Sequence, residues 1–170
     1  MKGKYEYIPV CMVDIGWQST TVSIVEKHKL KQSFSFDVSG TVLTKDLSEA
    51  LKISLDEAEK MKVKYGLDPK NEDVSKVLLE KVEILALEIE KVCNNFYTQE
   101  GKRVDNIVLA GGTASLFGLK EYLSSRIKKN VFLADPFSSV SFPEALSKRL
   151  KEIGPSFSVA LGTAMMGLES

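Results

Sequence analysis

Hydrophobic and polar positions alternate with two different periods along the chain, and the change of period divides it. Ile8 to Ile15 is apolar, rich in β-branched residues and ends in Asp14-Ile15-Gly16, which predicts a strand entering a tight turn. Thr20 to Val25 resumes extended structure. After the charged turn Glu26 to Lys29, Leu30 to Val38 alternates Phe34 and Phe36 with Ser33, Ser35 and Asp37. These three segments predict an antiparallel meander. The period then becomes helical. Thr44 can cap a short helix carrying Leu47, Ala50 and Leu51. Ser54-Leu55-Asp56-Glu57 matches a capping box, opening a second helix that runs to Tyr65 and stops at Gly66.

A polar connector containing Pro69 leads to a long helix from about Asp73 to Thr98. Its stripe of Val74, Val77, Leu78, Val82, Leu85, Ile89, Val92 and Phe96 keeps close to a 3.6-residue period and predicts core packing. Val104 to Ala110 is a strand that runs straight into Gly111-Gly112-Thr113. A helix from Leu116 to Lys129, a short strand Val131 to Leu133 and the loop Ala134 to Phe137 follow. Pro143 is placed to open one further helix and Pro155 to start the last. Strands first, helices next and a βαβ-like end imply an α/β domain with one mixed sheet.

Composition narrows the function classes. The chain has 170 residues, 44% hydrophobic and 27% charged, so one domain with a full core needs no disulfide or metal staple. Lys and Arg number 23 and Asp and Glu 23, a balance that argues against a nucleic-acid partner. No apolar run approaches the roughly 20 residues of a transmembrane helix, so no direct membrane insertion and a cytoplasmic setting are expected. The N-terminal stretch Met1 to Glu6 makes an unconvincing signal peptide. Cys11 and Cys93 are far apart, lack C-x-x-C spacing and read as buried reduced thiols. His28, the single histidine, reads as a solvated turn residue, which excludes a His-rich metal site.

Two glycine turns can carry chemistry. In Asp14-Ile15-Gly16-Trp17-Gln18-Ser19-Thr20, an Asp at a strand end can hold the water shell of Mg²⁺. Gly16 permits close approach to a phosphate, and Ser19 and Thr20 offer donors. Gly111-Gly112-Thr113 sits between strand and helix as an anion-tolerant platform, without the lysine of a P-loop or a full G-x-G-x-x-G. Either turn alone also suits a purely structural role.

Together, an Asp-Gly hairpin about a hundred residues before an apolar strand ending in Gly-Gly-Thr resembles the second nucleotide-binding half of actin-like ATPases. Gly40, Leu43-Thr44-Lys45-Asp46-Leu47 and Ala58-Glu59-Lys60-Met61-Lys62 resemble the FtsA and PilM families. Leu133 to Phe137 and Ala160 to Ala164 resemble the closing segment of PilM-like type IV pilus assembly proteins, whereas FtsA-type chains continue into an amphipathic helix beyond the position of Ser170.

The resemblance implies an actin-like, ribonuclease H-like α/β lobe with a mixed sheet. Residues 1–38 and 99–170 would form subdomain 2A, and 39–98 an inserted, mostly helical subdomain 2B. It implies ATP or ADP with Mg²⁺ as cofactors. Asp14, Gly16, Ser19 and Thr20 would form the phosphate loop, with Asp14 reaching Mg²⁺ through water. Gly40 would lie near the nucleotide, Glu59 and Lys62 at ribose and adenine, and Gly111, Gly112 and Thr113 in the adenosine motif.

Trp17 and Gln18 depart from the small residues usual there. The first phosphate loop and opposite lobe are lacking, so the chain is expected to be a fragment, or a half-protein pairing with another chain, and no enzyme alone. The implied partners are the N-terminal actin-like lobe and PilN, with attachment to the inner membrane through partners. The alternative is a structural or interaction domain that has lost nucleotide binding.

Overall fold

The computed structural model describes residues 8–167, so Met1 to Glu6 and Ser170 lie outside the described residues. Three antiparallel strands open the fold: β1 (Val10–Ile15), β2 (Thr20–Glu26) and β3 (Lys29–Phe36). The β2–β3 corner places Lys27 and His28 at φ 52° and 58°, the left-handed pair that matches the twist of a tight hairpin. His28 is exposed there, as expected of a turn residue. Three helices follow, α1 (Gly40–Leu51), α2 (Leu55–Tyr65) and α3 (Glu72–Glu100). The chain then returns as β4 (Asn106–Ala110), α4 (Leu119–Ile127), β5 (Asn130–Leu133) and α5 (Ser147–Met166).

The sheet order is β3-β2-β1-β4-β5. β1 pairs antiparallel with β2 and parallel with β4, with Cys11 opposite both Ile24 and Ile107, and β5 adds in parallel beside β4. The mixed sheet of an α/β lobe is therefore present. Alternation decides which face is covered: Cys11, Val13, Ile15, Val22, Ile24, Ile107 and Leu109 are buried in one cluster with the stripe of α3 from Val74 to Phe96 and with Leu119, Leu123 and Ile127 of α4. Burying a side chain such as Phe96 or Leu109 stabilises by about 1.5–3 kcal/mol. Both cysteines are free and buried in this cluster. A hydrogen bond to Cys93 together with burial pushes the Cys11 thiol well above its ordinary range.

Several predicted boundaries are corrected. Ser39, not Thr44, caps α1: its Oγ accepts from the Val42 N–H at 3.4 Å. Thr44 lies inside the helix, its Oγ1 2.9 Å from the Gly40 carbonyl oxygen four residues back. The Gly-Gly turn leads first into a single 3-10 turn, Gly112–Ser115, and α4 begins only at Leu119. The helices predicted to start at Pro143 and Pro155 are one element: a 3-10 turn at Glu144–Leu146 runs into α5, which continues through Pro155. The Ser54–Glu57 capping box forms as predicted, with Glu57 Oε2 accepting from Ser54 N–H at 3.0 Å.

Candidate functional site

The turn after β1 is stitched to the start of α1. Gly16 N–H donates to the Ser19 carbonyl at 3.0 Å, closing the loop on itself. The Gly16 carbonyl accepts from Gly40 N–H and the Trp17 carbonyl from Thr41 N–H, each at 3.0 Å. Thr41 Oγ1 adds a second bond to the Trp17 carbonyl at 2.6 Å. Gly40 sits where three segments converge, and a Cβ there would stand 2.9 Å from Thr113 Oγ1 and 3.5 Å from the Gly16 carbonyl oxygen.

The second turn is set by its first glycine. Gly111 has φ +88°, and a Cβ on it would lie 2.4 Å from the Ile15 carbonyl oxygen and 2.5 Å from Asp14 Oδ1. Its N–H donates to the Pro155 carbonyl at 2.8 Å, which ties α5 to the turn. Gly112 is the opposite case, since a Cβ there would meet nothing within 4 Å. Leu67 N–H reaches the Phe117 carbonyl at 2.9 Å and so fastens the end of α2 beside this turn.

Between the two turns and α2 lies an open cavity of about 410 Å³, within the ~300–1,000 Å³ span of small-molecule sites. Six predicted residues line it: Gly16, Gly40, Glu59, Lys62, Gly112 and Thr113. Trp17, Val63, Ser115, Leu116 and Ser156 complete the lining.

The other four predicted residues stand apart from the cavity. Asp14 borders a separate groove with Met12, Thr21 and Ser158, and Gly111 supports the turn from behind. Ser19 is exposed on the loop. Thr20 is fully buried, its hydroxyl donating to the Val38 carbonyl at 2.5 Å.

Lys62 is only 4% exposed. Its ammonium donates to the Gly40 carbonyl at 3.0 Å, Thr44 Oγ1 at 2.8 Å and Glu59 Oε2 at 2.7 Å, which uses all three of its protons. Thr44 Oγ1 also contacts Glu59 Oε2. Burial acts to raise the Glu59 pKa, but the hydrogen bonds from Lys62 and Thr44 outweigh it and hold the carboxyl below its ordinary value. Burial alone pushes the Asp14 carboxyl up. Among the described residues no group of three or more His, Cys, Asp or Glu is placed to hold a metal ion. Asp14 stands as a single carboxylate, which fits only a cation retaining most of its waters.

Sequence reasoning missed Thr44 as the joint between Lys62 and Glu59, and Val63, Leu116 and Ser156 as walls. Thr44 follows Gly40 at helical spacing, which was the available signal. Ser156 belongs to α5 and reaches the cavity only through the tertiary fold.

The model of the type IV pilus assembly protein PilM family matches residues 2–168. The chain belongs to the PilM family. The PilM–PilN type IV pilus biogenesis complex contains a similar structure, with TM-score 0.83 and 27% identity, covering 98% of this chain and 48% of that one. Ethanolamine utilization protein EutJ from Carboxydothermus hydrogenoformans is similar at TM-score 0.66 and 25% identity, covering 91% and 48%. MreB5 of Spiroplasma citri, solved bound to ADP, shares the fold at TM-score 0.65 and 17% identity, covering 96% and 55%. No curated protein matches the sequence significantly. This PilM-family chain thus spans about half the length of the solved proteins it resembles, and its fold is an actin-like lobe. Among its described residues no helix is long and apolar enough to cross a membrane.

Proposed function

We propose that this PilM-family chain is the nucleotide-binding lobe of an actin-fold protein of type IV pilus assembly, and that its cavity receives the adenosine part of ATP or ADP. The observation that carries the reading is the convergence of Gly16, Gly40, Glu59, Gly112 and Thr113, from distant parts of the sequence, on one cavity of about 410 Å³. Glu59 presents an ionised acceptor suited to ribose hydroxyls, and the bare Gly112 leaves room for the base. Asp14, which lies outside the cavity lining, is the residue proposed to reach Mg²⁺, through water. A second actin-like lobe would supply the opposite wall, and without it no hydrolysis takes place. PilN is the proposed partner, because the similar structure is a PilM–PilN complex, and it would bring the protein to the inner membrane platform.

Chemical-shift mapping with ADP tests this reading. Shifts should cluster at Glu59, Lys62 and Gly111 to Thr113, and Glu59→Ala should weaken binding about ten- to a hundredfold through loss of a hydrogen bond to a charged group. If millimolar ADP moves none of these signals, the alternative stands: an interaction domain that keeps the fold without the nucleotide. Burial of the Thr20 hydroxyl against Val38 and the full engagement of Lys62 favour that alternative.

A further inference from the structure

The sheet is covered on one face, where α3 and α4 pack over Cys11, Val13 and Ile107. A row in register across all five strands, Ser33, Ser23, Met12, Val108 and Phe132, points the other way. Met12 is 41% exposed there and Phe132 50%, with Leu30 at 64% beside Val25 on the next row. A sheet with parallel pairs at its centre is ordinarily covered on both faces, so this side lacks an apolar layer.

The last helix presents the matching deficit. No residue from Ile153 to Leu168 carries a charge, yet Gly154 and Pro155 are the only buried residues of α5. The Pro155 carbonyl anchors the helix to Gly111, and beyond that point Val159 is 64% exposed and Met166 66%. A helix without a charged face is ordinarily a buried one.

The two deficits fit each other. From Ile153 to Met166 the helix is about 21 Å long at 1.5 Å per residue. Five strands ~4.8 Å apart make a sheet about 19 Å wide, so one helix crosses the whole face. Those helical residues and a similar number of outward strand positions reach the roughly 20–30 residues a side of a standard interface. Charge raises no barrier: among the residues lining the groove between α5 and the sheet, Asp14 alone is charged.

We propose that a second copy of this chain covers this surface, in a two-fold dimer in which α5 of each copy lies across the open sheet of the other. One chain carries both the uncovered helix and the uncovered sheet, so a closed pair satisfies both at once through reciprocal contacts. Giving the second copy the place of the second actin-like lobe rests on the proposed function. The dimer itself stands on the two surfaces, and shift mapping with ADP judges the nucleotide reading separately.

Sedimentation equilibrium and native mass spectrometry on the 170-residue chain test it. The chain should dimerise with a Kd in the micromolar range or tighter, as interfaces of standard size do. Val159→Glu on the helix and Met12→Lys on the sheet each bury a charge in both contacts of the dimer, and each should weaken it at least about a hundredfold. Mixing the two variants should restore a heterodimer, because one of its contacts is then native and the other sets a carboxylate against an ammonium. Leu55→Glu, at a half-exposed position of α2, should leave the dimer intact. A wild-type chain that stays monomeric at high micromolar concentration overturns the proposal and leaves the face to a different partner. Dimers that persist in both variants, or that Leu55→Glu abolishes, overturn the surface. A mixture that stays monomeric overturns the reciprocal arrangement. Met166→Glu repeats the helix test at a second exposed position, and the wild-type measurement decides the assembly state even if a variant fails to fold.

Discussion

Lys62 Nζ lies 3.0 Å from the Gly40 carbonyl, so a side chain of α2 grips the first residue of α1, at the point where the helices leave the sheet. The same ammonium holds Glu59, which makes one buried cation responsible for both the junction and the cavity wall. Lys62→Met should therefore cost stability as well as binding. Losing hydrogen bonds to a charged group, with Glu59 free to turn towards water, should destabilise by about 2 kcal/mol. For a domain of this size that lowers the melting temperature by about 4–8 °C, measurable by calorimetry or circular dichroism.

The two adjacent glycines should respond in opposite ways. Gly111→Ala places a Cβ 2.4 Å from the Ile15 carbonyl oxygen at φ +88°, and backbone must move to admit it. A loss of about 3 kcal/mol or more is expected, visible as a shifted denaturation midpoint. Gly112→Ala meets nothing within 4 Å and should leave stability within about 0.5 kcal/mol. Its methyl group enters the proposed ligand space instead, so adenosine affinity should fall while the melting curve stays put.

Asp14 should make stability depend on pH in the direction opposite to a salt-bridged carboxylate. Burial raises its pKa in the folded state, so the folded protein binds that proton more tightly than the unfolded chain. Its contribution then worsens as pH rises through the folded value. Asp14→Asn should melt higher than the wild type at pH 7, and the two should converge below about pH 3.9, where both states are protonated. Melting curves at stepped pH check the sign. A wild type more stable than Asp14→Asn at neutral pH would contradict it.

Glu59 should show the reverse. Its hydrogen bonds to Lys62 and Thr44 hold its pKa below the ordinary value, so its stabilisation is present above about pH 4.3 and is lost as pH falls through the folded value. Glu59→Gln should flatten the acid limb of the stability profile, read from the same melting series.

The thiols give a probe of opening. Cys11 and Cys93 are buried in the core between β1 and α3, with Cys11 fully enclosed. A thiol reagent should label them only as fast as the domain unfolds, and the rate should climb with denaturant. Rapid labelling in buffer would show that α3 lifts from the sheet without global unfolding.

Local signals carried most of the fold. The β-branched run from Thr20 to Val25 and the stripe from Val74 to Phe96 are local patterns, and both form the predicted elements, the stripe facing the core; the alternation read in Leu30 to Val38 gives a strand too, but one that is mostly exposed. The Ser54–Glu57 box was legible for the same reason: its partners are three residues apart. Helix ends decided by competition were not. Ser39 took the cap that Thr44 could have filled, because Gly40 is already drawn to the Gly16 carbonyl and the helix starts there. Pro155 was readable as a start because a proline lacks the N–H that a first turn leaves unused, yet α5 tolerates it, and its carbonyl accepts from Gly111. In the site, side-chain type could not show that Thr20 turns its hydroxyl to Val38 or that Lys62 spends every proton internally. Those outcomes depend on which backbone carbonyls come within reach, and only the folded chain determines that.

The parallel pairing of β1 with β4 constrains how the molecule comes into being. β1 can join β2 and β3 as soon as they are made, but Val10 meets Asn106 only after all three intervening helices have been synthesised. Until α3 emerges, the apolar face bearing Val13, Ile15, Val22 and Ile24 has no cover, and β1 presents an unpaired edge. Closure of the sheet is thus a late, non-local event, and such pairings fold slowly. In the growing chain, α3 is the first element able to shield the meander, so its prompt formation governs whether the nascent protein finds β4 or another molecule's strand.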